Sequence, residues 1–163
     1  SFLNTPDREI RVRMSEFQPG TPKFLAVVSF GHDRDQMTFG AYLAVPEDEV
    51  GPLALFSRDP DSGCNLRWES TSPGTTLEDV PGTYIDPCSD AQYAFDGRAL
   101  HQDATRDLHR FPVRREVTGY VINFEQITFG ACRGDNLEGC SPTGMTVTRE
   151  VPGGLLPLDF GKR

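Results

Sequence analysis

The residues of this 163-residue chain that could do chemistry are four cysteines, at 64, 88, 132 and 140, and the acids around the first two. Cys64 lies in Asp59-Pro60-Asp61-Ser62-Gly63-Cys64-Asn65-Leu66-Arg67-Trp68. Cys88 lies in Asp86-Pro87-Cys88-Ser89-Asp90-Ala91-Gln92-Tyr93-Ala94-Phe95-Asp96-Gly97-Arg98. Sulfur beside carboxylate admits a covalent bridge, soft-metal ligation by thiolate, or hard-cation binding by oxygen. Four cysteines allow three pairings. Their spacing is not that of a zinc ribbon, so no structural zinc is expected. Proximity favours Cys132 with Cys140 across Arg133-Gly134-Asp135-Asn136, which leaves Cys64 with Cys88. Two disulfides imply an oxidising compartment; the competing reading is four buried thiols in a cytosolic protein.

Asp59, Asp61, Asp86 and Asp90 could converge as oxygen ligands for Ca²⁺ or Mg²⁺. Asp59-x-Asp61 looks like the start of an EF-hand loop, but the twelfth position is Ser70 and no flanking helices are expected. The plainer reading is that these acids shape turns. His32, His101 and His109 stand outside both cysteine segments and carry no motif. Trp68 and Tyr93 could relay electrons, but packing aromatics are the default. No nucleophile elbow, glycine-rich dinucleotide loop or P-loop is present, and no acid pair stands out for glycoside hydrolysis. Catalytic residues are therefore not expected.

The net charge of −8, with no Lys/Arg run, argues against nucleic acid and against direct binding to anionic lipid. No apolar stretch approaches the roughly 18 residues of a membrane span. The segment from Ser1 has neither the basic end nor the apolar run of a signal peptide. Because it begins without Met, we expect a processed chain, with a removed signal or an anchor upstream.

Sixteen Gly, 13 Pro and 37% hydrophobic residues fit a loop-rich β protein. Strands are expected at 23–30, 37–45, 53–57, 83–85, 92–95, 110–116 and 120–124. Gly31-His32-Asp33-Arg34-Asp35 reads as a connection and Asp96-Gly97 as a turn. Tyr120 and Phe124 share one face of a strand and read as core. Pro46 to Glu49 could open a short helical turn, and 69–82 reads as a polar loop. No internal repeat is evident, and 125–163 reads as an irregular extension with scattered strand signals at Phe129, the cysteine pair, Met145-Thr146-Val147-Thr148 and Leu155-Leu156.

The two cysteine segments resemble the cluster-binding loops of Rieske iron–sulfur proteins, the disulfide-containing kind of cytochrome bc complexes. That family reads C-x-H-x-G-C in one loop and C-x-C-H-G-S, then an aromatic and a Gly, in the other. Gly63-Cys64 with Leu66-Arg67-Trp68, and Gln92-Tyr93 with Phe95-Asp96-Gly97-Arg98, carry the similarity. It continues through Ala104-Thr105-Arg106-Asp107-Leu108 and His109-Arg110-Phe111-Pro112-Val113. It spans about 20–124, most strongly 59–115. In this register Cys64 and Cys88 take the bridging positions. The ligand positions fall on Asp59, Asp61, Asp86 and Ser89, so Cys, His, Cys, His has become Asp, Asp, Asp, Ser. A rival register makes Cys64 and Cys88 ligands and puts Leu66 and Ala91 at the histidine places. Sulfide-bridged iron takes thiolate or imidazole, and neither register supplies the histidines, so no 2Fe–2S cluster is expected.

The expected fold is all-β: a Rieske-like antiparallel sandwich or barrel over 1–124, a two-loop subdomain inserted at about 55–98, and a C-terminal extension over 125–163 packed on the same domain. The resemblance implies an extracytoplasmic subunit with a structural or docking role, partnered by subunits of a membrane-bound electron-transfer complex. The alternatives are an electron carrier with unusual cofactor ligation and a carboxylate-based divalent-metal module.

Overall fold

A computed structural model describes residues 9–30, 37–46, 51–70, 81–100, 104–124, 126–133 and 146–148. The expected turns at 31–35 and 46–49, most of the 69–82 loop, His32, His101 and Cys140 lie wholly or largely outside these residues.

Among the described residues there is no α-helix, and twelve strands follow one another: β1 (Glu9–Arg13), β2 (Lys23–Phe30), β3 (Met37–Ala44), β4 (Leu53–Phe56), β5 (Arg67–Ser70), β6 (Gly82–Ile85), β7 (Gln92–Tyr93), β8 (Arg110–Phe111), β9 (Val113–Glu116), β10 (Gly119–Asn123), β11 (Gln126–Thr128) and β12 (Thr146–Thr148). They form three sheets in the orders β1-β10-β9, β12-β11-β8-β4-β3-β2 and β5-β6-β7, with every pairing antiparallel. The chain is thus all-β as expected. None of the sheets closes, so of the two expected architectures the barrel is set aside.

The six-stranded sheet is the central layer. Side chains alternate across a strand, so β3 and β4 feed two cores. Ala41 and Leu43 with Ala54 and Phe56 face one way and pack with Val12, Phe111, Tyr120, Ile122, Phe124 and Ile127. Tyr42 and Leu55 face the other way and pack with Leu66, Tyr84, Ala91, Tyr93, Ala104 and Leu108. Double burial explains why these strands read as unbroken apolar runs. Tyr120 and Phe124 take their expected place in the first core.

Three expectations change. The strand expected over 110–116 is two, because Pro112 has no N–H to extend a ladder. The chain crosses from the central sheet to the outer one there, and the Pro112 carbonyl accepts from the Asn123 amide at 2.9 Å. The segment expected to be irregular contributes β11, and also β12 at one of its scattered strand signals, to the central sheet. Strands β1 and β5 were not anticipated. Both are largely solvent-facing and rich in charged residues, which hides the strand period.

Gly40 on β3 has no space for a side chain. A Cβ there would stand 1.8 Å from the Leu25 carbonyl oxygen, where the β2–β3 register shifts between Ala26 and Val28. Its amide also donates to Ser57 Oγ at 3.0 Å, tying β3 to the end of β4. Gly40→Ala should therefore part these strands and destabilise the fold by about 2–3 kcal/mol. Urea unfolding should show a lower midpoint at unchanged slope; a parental midpoint would contradict this packing.

Candidate functional site

Two loops leave the central and small sheets side by side. The first joins β4 to β5 and the second joins β6 to β7. The first begins at Ser57, whose carbonyl accepts from the Leu66 amide at 2.9 Å and whose amide donates to the Gly40 carbonyl at 3.0 Å. The second springs from β6, whose Tyr84 is fully buried under Trp68 and Tyr42.

The loop tips have the same local build. The Asp59 amide donates to the Cys64 carbonyl at 3.0 Å, and the Asp59 carbonyl accepts from Gly63 at 2.9 Å. Likewise the Asp86 amide donates to the Ala91 carbonyl, and the Asp86 carbonyl accepts from Asp90, both at 2.9 Å. The residue that closes each turn has positive φ, 74° at Gly63 and 63° at Asp90. Each aspartate's Oδ1 accepts from the amide two residues on, Asp61 in one loop and Cys88 in the other, at 2.7 Å. Each following serine accepts from the amide two residues beyond it: Ser62 Oγ from Cys64 at 3.1 Å, and Ser89 Oγ from Ala91 at 3.3 Å. The residues are Asp-Pro-Asp-Ser-Gly-Cys and Asp-Pro-Cys-Ser-Asp-Ala. An Asp-Pro-x-Ser turn therefore recurs, although no internal repeat was expected. Three shared positions carry no hydrophobic period, so only side-chain-to-backbone capping, the habit of Asp and Ser, could have revealed it.

The loops are joined three ways. Cys64 and Cys88 form a disulfide with Cα atoms 6.4 Å apart. Ser62 Oγ donates across to Asp86 Oδ2 at 2.6 Å, where Ser89 Oγ also donates at 2.7 Å. The carboxyls of Asp59 and Asp86 also hydrogen-bond to each other, and both residues are buried, at 1% and 0% exposure. Beneath them the Tyr93 hydroxyl donates to Asp59 Oδ2 at 2.7 Å. Tyr93, weighed from the sequence with Trp68 as an electron relay and read by default as a packing aromatic, is here a hydrogen-bond donor to the loop.

Charging two neighbouring buried carboxyls together is costly, which pushes their values apart. Burial pushes the Asp59 carboxyl above its ordinary value, against the donors Tyr93, Asp61 and Ser62. Burial pushes Asp86 up as well, but Ser62, Ser89 and the Cys88 amide, with Asp59, outweigh it and hold Asp86 below the ordinary value. Of the two, Asp59 is the first to take up a proton as pH falls.

Of the four expected ligand positions, Asp59, Asp86 and Ser89 meet in this network. Asp61 turns aside: its carboxylate accepts from Thr105 Oγ1 at 2.6–2.7 Å and from the Thr105 amide at 3.3 Å. Asp90 is exposed. Among the described residues the one group of three ligand-type atoms within 4.8 Å of one another is Cys64, Asp86 and Cys88, so the four aspartates do not converge on a point. A 2Fe–2S cluster does not fit these residues. In the first register its places are three carboxylates and a hydroxyl, already engaged by the donors named above. In the rival register both sulfurs are bound to each other.

The other residues singled out have structural partners. His109 is buried, its Nδ1 accepts from the Gly130 amide at 3.0 Å, and burial, then Arg106, push its pKa down to about 3, so the ring is neutral. Trp68 packs on Tyr84 and Phe95. Arg67 pairs with Glu69 at 3.1 Å on the exposed strand. Cys132 is disulfide-bonded; its expected partner, Cys140, lies outside the described residues. Arg133 clamps Asp107 at 2.7 and 2.8 Å, and Asp107 accepts from the Ala99 amide at 2.8 Å, so the C-terminal segment braces the stretch between β7 and β8.

No protein-family model, curated protein or solved structure matches the chain. Among the described residues no helix is long and apolar enough to cross a membrane.

The disulfide closes a sequence separation of 24 residues, which in the chain-entropy account contributes about 3 kcal/mol. Cys64→Ser should lower the melting temperature accordingly and loosen both loops; melting at the parent's temperature would show that the bridge carries no load. The carboxyl pair sets a pH dependence. Asp59 binds its proton more tightly folded than unfolded, so its contribution is full below 3.8 and is lost as pH rises through its raised folded value. Asp86 behaves oppositely, contributing above 3.8 and losing this as pH falls through its lowered folded value. Between 3.8 and neutrality this loss opposes the gain from His109, which is neutral when folded and binds a proton below 6.5 when unfolded. Asp59→Asn, with no proton to lose, should therefore gain thermal stability more steeply than the parent as pH rises from 3.8, and a variant keeping the parent's slope would remove the raised Asp59 carboxyl from the account.

Proposed function

We propose that this chain is a clusterless Rieske-like subunit acting outside the cytoplasm, with a structural or docking role in a membrane-bound electron-transfer complex. One observation carries the reading. Two loops of like build are bridged by Cys64–Cys88, and the positions aligned with the cluster's thiolates, Asp59 and Asp86, meet as a buried carboxyl pair. Side chains that once had to hold iron would be arranged in this way: one from each loop, beside the covalent bridge. With oxygen in place of sulfur they hold each other instead.

A carboxyl pair cannot pass single electrons as an iron centre does, so the role left to the loops is shape. The disulfide favours an oxidising compartment. A Ca²⁺ or Mg²⁺ module is the weaker reading, because Asp61 is committed to Thr105 and Asp90 faces solvent. An electron carrier with other sulfur ligation is weaker still, because both loop sulfurs are spent on each other.

Two measurements test the proposal. Asp59→Cys, Asp61→His, Asp86→Cys and Ser89→His combined, reconstituted anaerobically with iron and sulfide, should take up a 2Fe–2S centre visible by electron paramagnetic resonance. The parent treated alike should give no such signal. A folded fourfold variant that takes up no cluster would refute the register. Native electrophoresis of mildly solubilised source membranes should place the chain in a haem-containing complex; migration as a free subunit would refute the docking role.

A further inference from the structure

The two loops hold more ligand chemistry than the oxidised chain uses. The sulfurs of Cys64 and Cys88 and a carboxylate oxygen of Asp86 lie within 4.8 Å of one another. We propose that, once the Cys64–Cys88 disulfide is reduced, Cys64, Cys88 and Asp86 bind a zinc ion, which replaces the covalent bridge between the loops. This inference rests on the geometry of the three groups and is independent of the family reading above.

The first argument is reach. Tetrahedral zinc held by two thiolates at about 2.3 Å sets the sulfurs about 3.8 Å apart. Cα atoms 6.4 Å apart accommodate that separation by side-chain rotation, with the backbone in place. The second argument is preorganisation. With the bridge open, Ser62 Oγ still links its loop to Asp86 at 2.6 Å. The Cys64 amide stays tied to that same serine at 3.1 Å, and the Cys88 amide to Asp86 Oδ1 at 2.7 Å. Both cysteines are therefore anchored to the third ligand through their own backbones. Thr105, by holding Asp61, and Tyr93, by holding Asp59, keep the rest of the first loop's tip fixed.

The third argument is access: Cys88 is exposed and Cys64 half-buried, so a reductant and an ion can both arrive. The fourth is selectivity. Two soft sulfurs and one oxygen suit zinc, whereas Ca²⁺ and Mg²⁺ take oxygen alone. Three protein ligands leave the fourth position to water.

The chemistry balances with a dithiol as reductant. Its thiolate attacks one cysteine sulfur, the Cys64–Cys88 bond breaks, and the dithiol closes to its own disulfide. Two electrons and two protons pass to Cys64 and Cys88. Zinc then binds the two thiolates and both thiol protons leave to solvent.

Cobalt reports such a site by colour. The full chain with Cys132→Ser and Cys140→Ser is reduced by a phosphine under nitrogen, desalted and titrated with Co²⁺. The expected result is one equivalent with a thiolate-to-cobalt charge-transfer band and the intense d–d bands of a tetrahedral ion. Zn²⁺ should abolish them, and they should be absent before reduction. Asp86→Asn should weaken the cobalt affinity at least tenfold while keeping the charge-transfer band. Should the two serines prevent folding, the parent chain is compared with its Cys64→Ser/Cys88→Ser variant, and the parent should bind one more tetrahedral cobalt. The proposal is overturned by a reduced chain with no tetrahedral spectrum, by equal binding before reduction, by an undiminished affinity in Asp86→Asn, or by loss of the near-ultraviolet circular dichroism on reduction.

Discussion

Strands β3 and β4 are apolar on both faces, and the rest of the molecule is arranged to cover them. Ala41, Leu43, Ala54 and Phe56 need one cover, and Tyr42 and Leu55 need another. The sheet β1-β10-β9 supplies the first and β5-β6-β7 the second. Burying each large side chain is worth about 1.5–3 kcal/mol, so neither cover is dispensable. This demand places the loops. The small sheet must lie over Tyr42 and Leu55, and this sets its β6–β7 loop beside the loop that joins β4 to β5.

What joins the loops there is chemically mixed. A disulfide, a hydroxyl-to-carboxylate bond and a carboxyl pair all cross the same gap. Buried acids are ordinarily unfavourable, and these are tolerated because backbone and side-chain donors meet nearly every oxygen. Asp59 alone accepts from Asp61, Ser62 and Tyr93. Capping of the turns and pairing across the gap use the same carboxylates, so the local turn and the tertiary contact support one another.

The C-terminal segment belongs to this arrangement. β11 and β12 widen the central sheet, while Arg106 donates to the Gly130 carbonyl and Arg133 holds Asp107. Neutral His109 fits the same place, since a charged ring there would face Arg106 without water. The first loop is thus tied, through Asp61 and Thr105, to a stretch that this distant segment braces, since the Arg133 amide donates to the Thr105 carbonyl.

By itself the sequence determined the all-β class, the positions of β2, β3, β4, β6 and β10 within a residue or two, and the turn at Asp96-Gly97. These follow from apolar runs and backbone chemistry, which are local. It also placed Cys64 opposite Cys88, by proximity of the other pair. Tertiary structure alone decided the strand character of β1 and β5, the open sheets, and the fate of each aspartate. Whether a carboxylate captures Thr105, as Asp61 does, or another carboxyl, as Asp59 does, depends on what other segments bring within 3 Å. No periodicity along the chain encodes that distance. The two Asp-Pro-x-Ser turns lie between: their residues are plain in the sequence, but their equivalence becomes visible when the same hydrogen bonds appear in both.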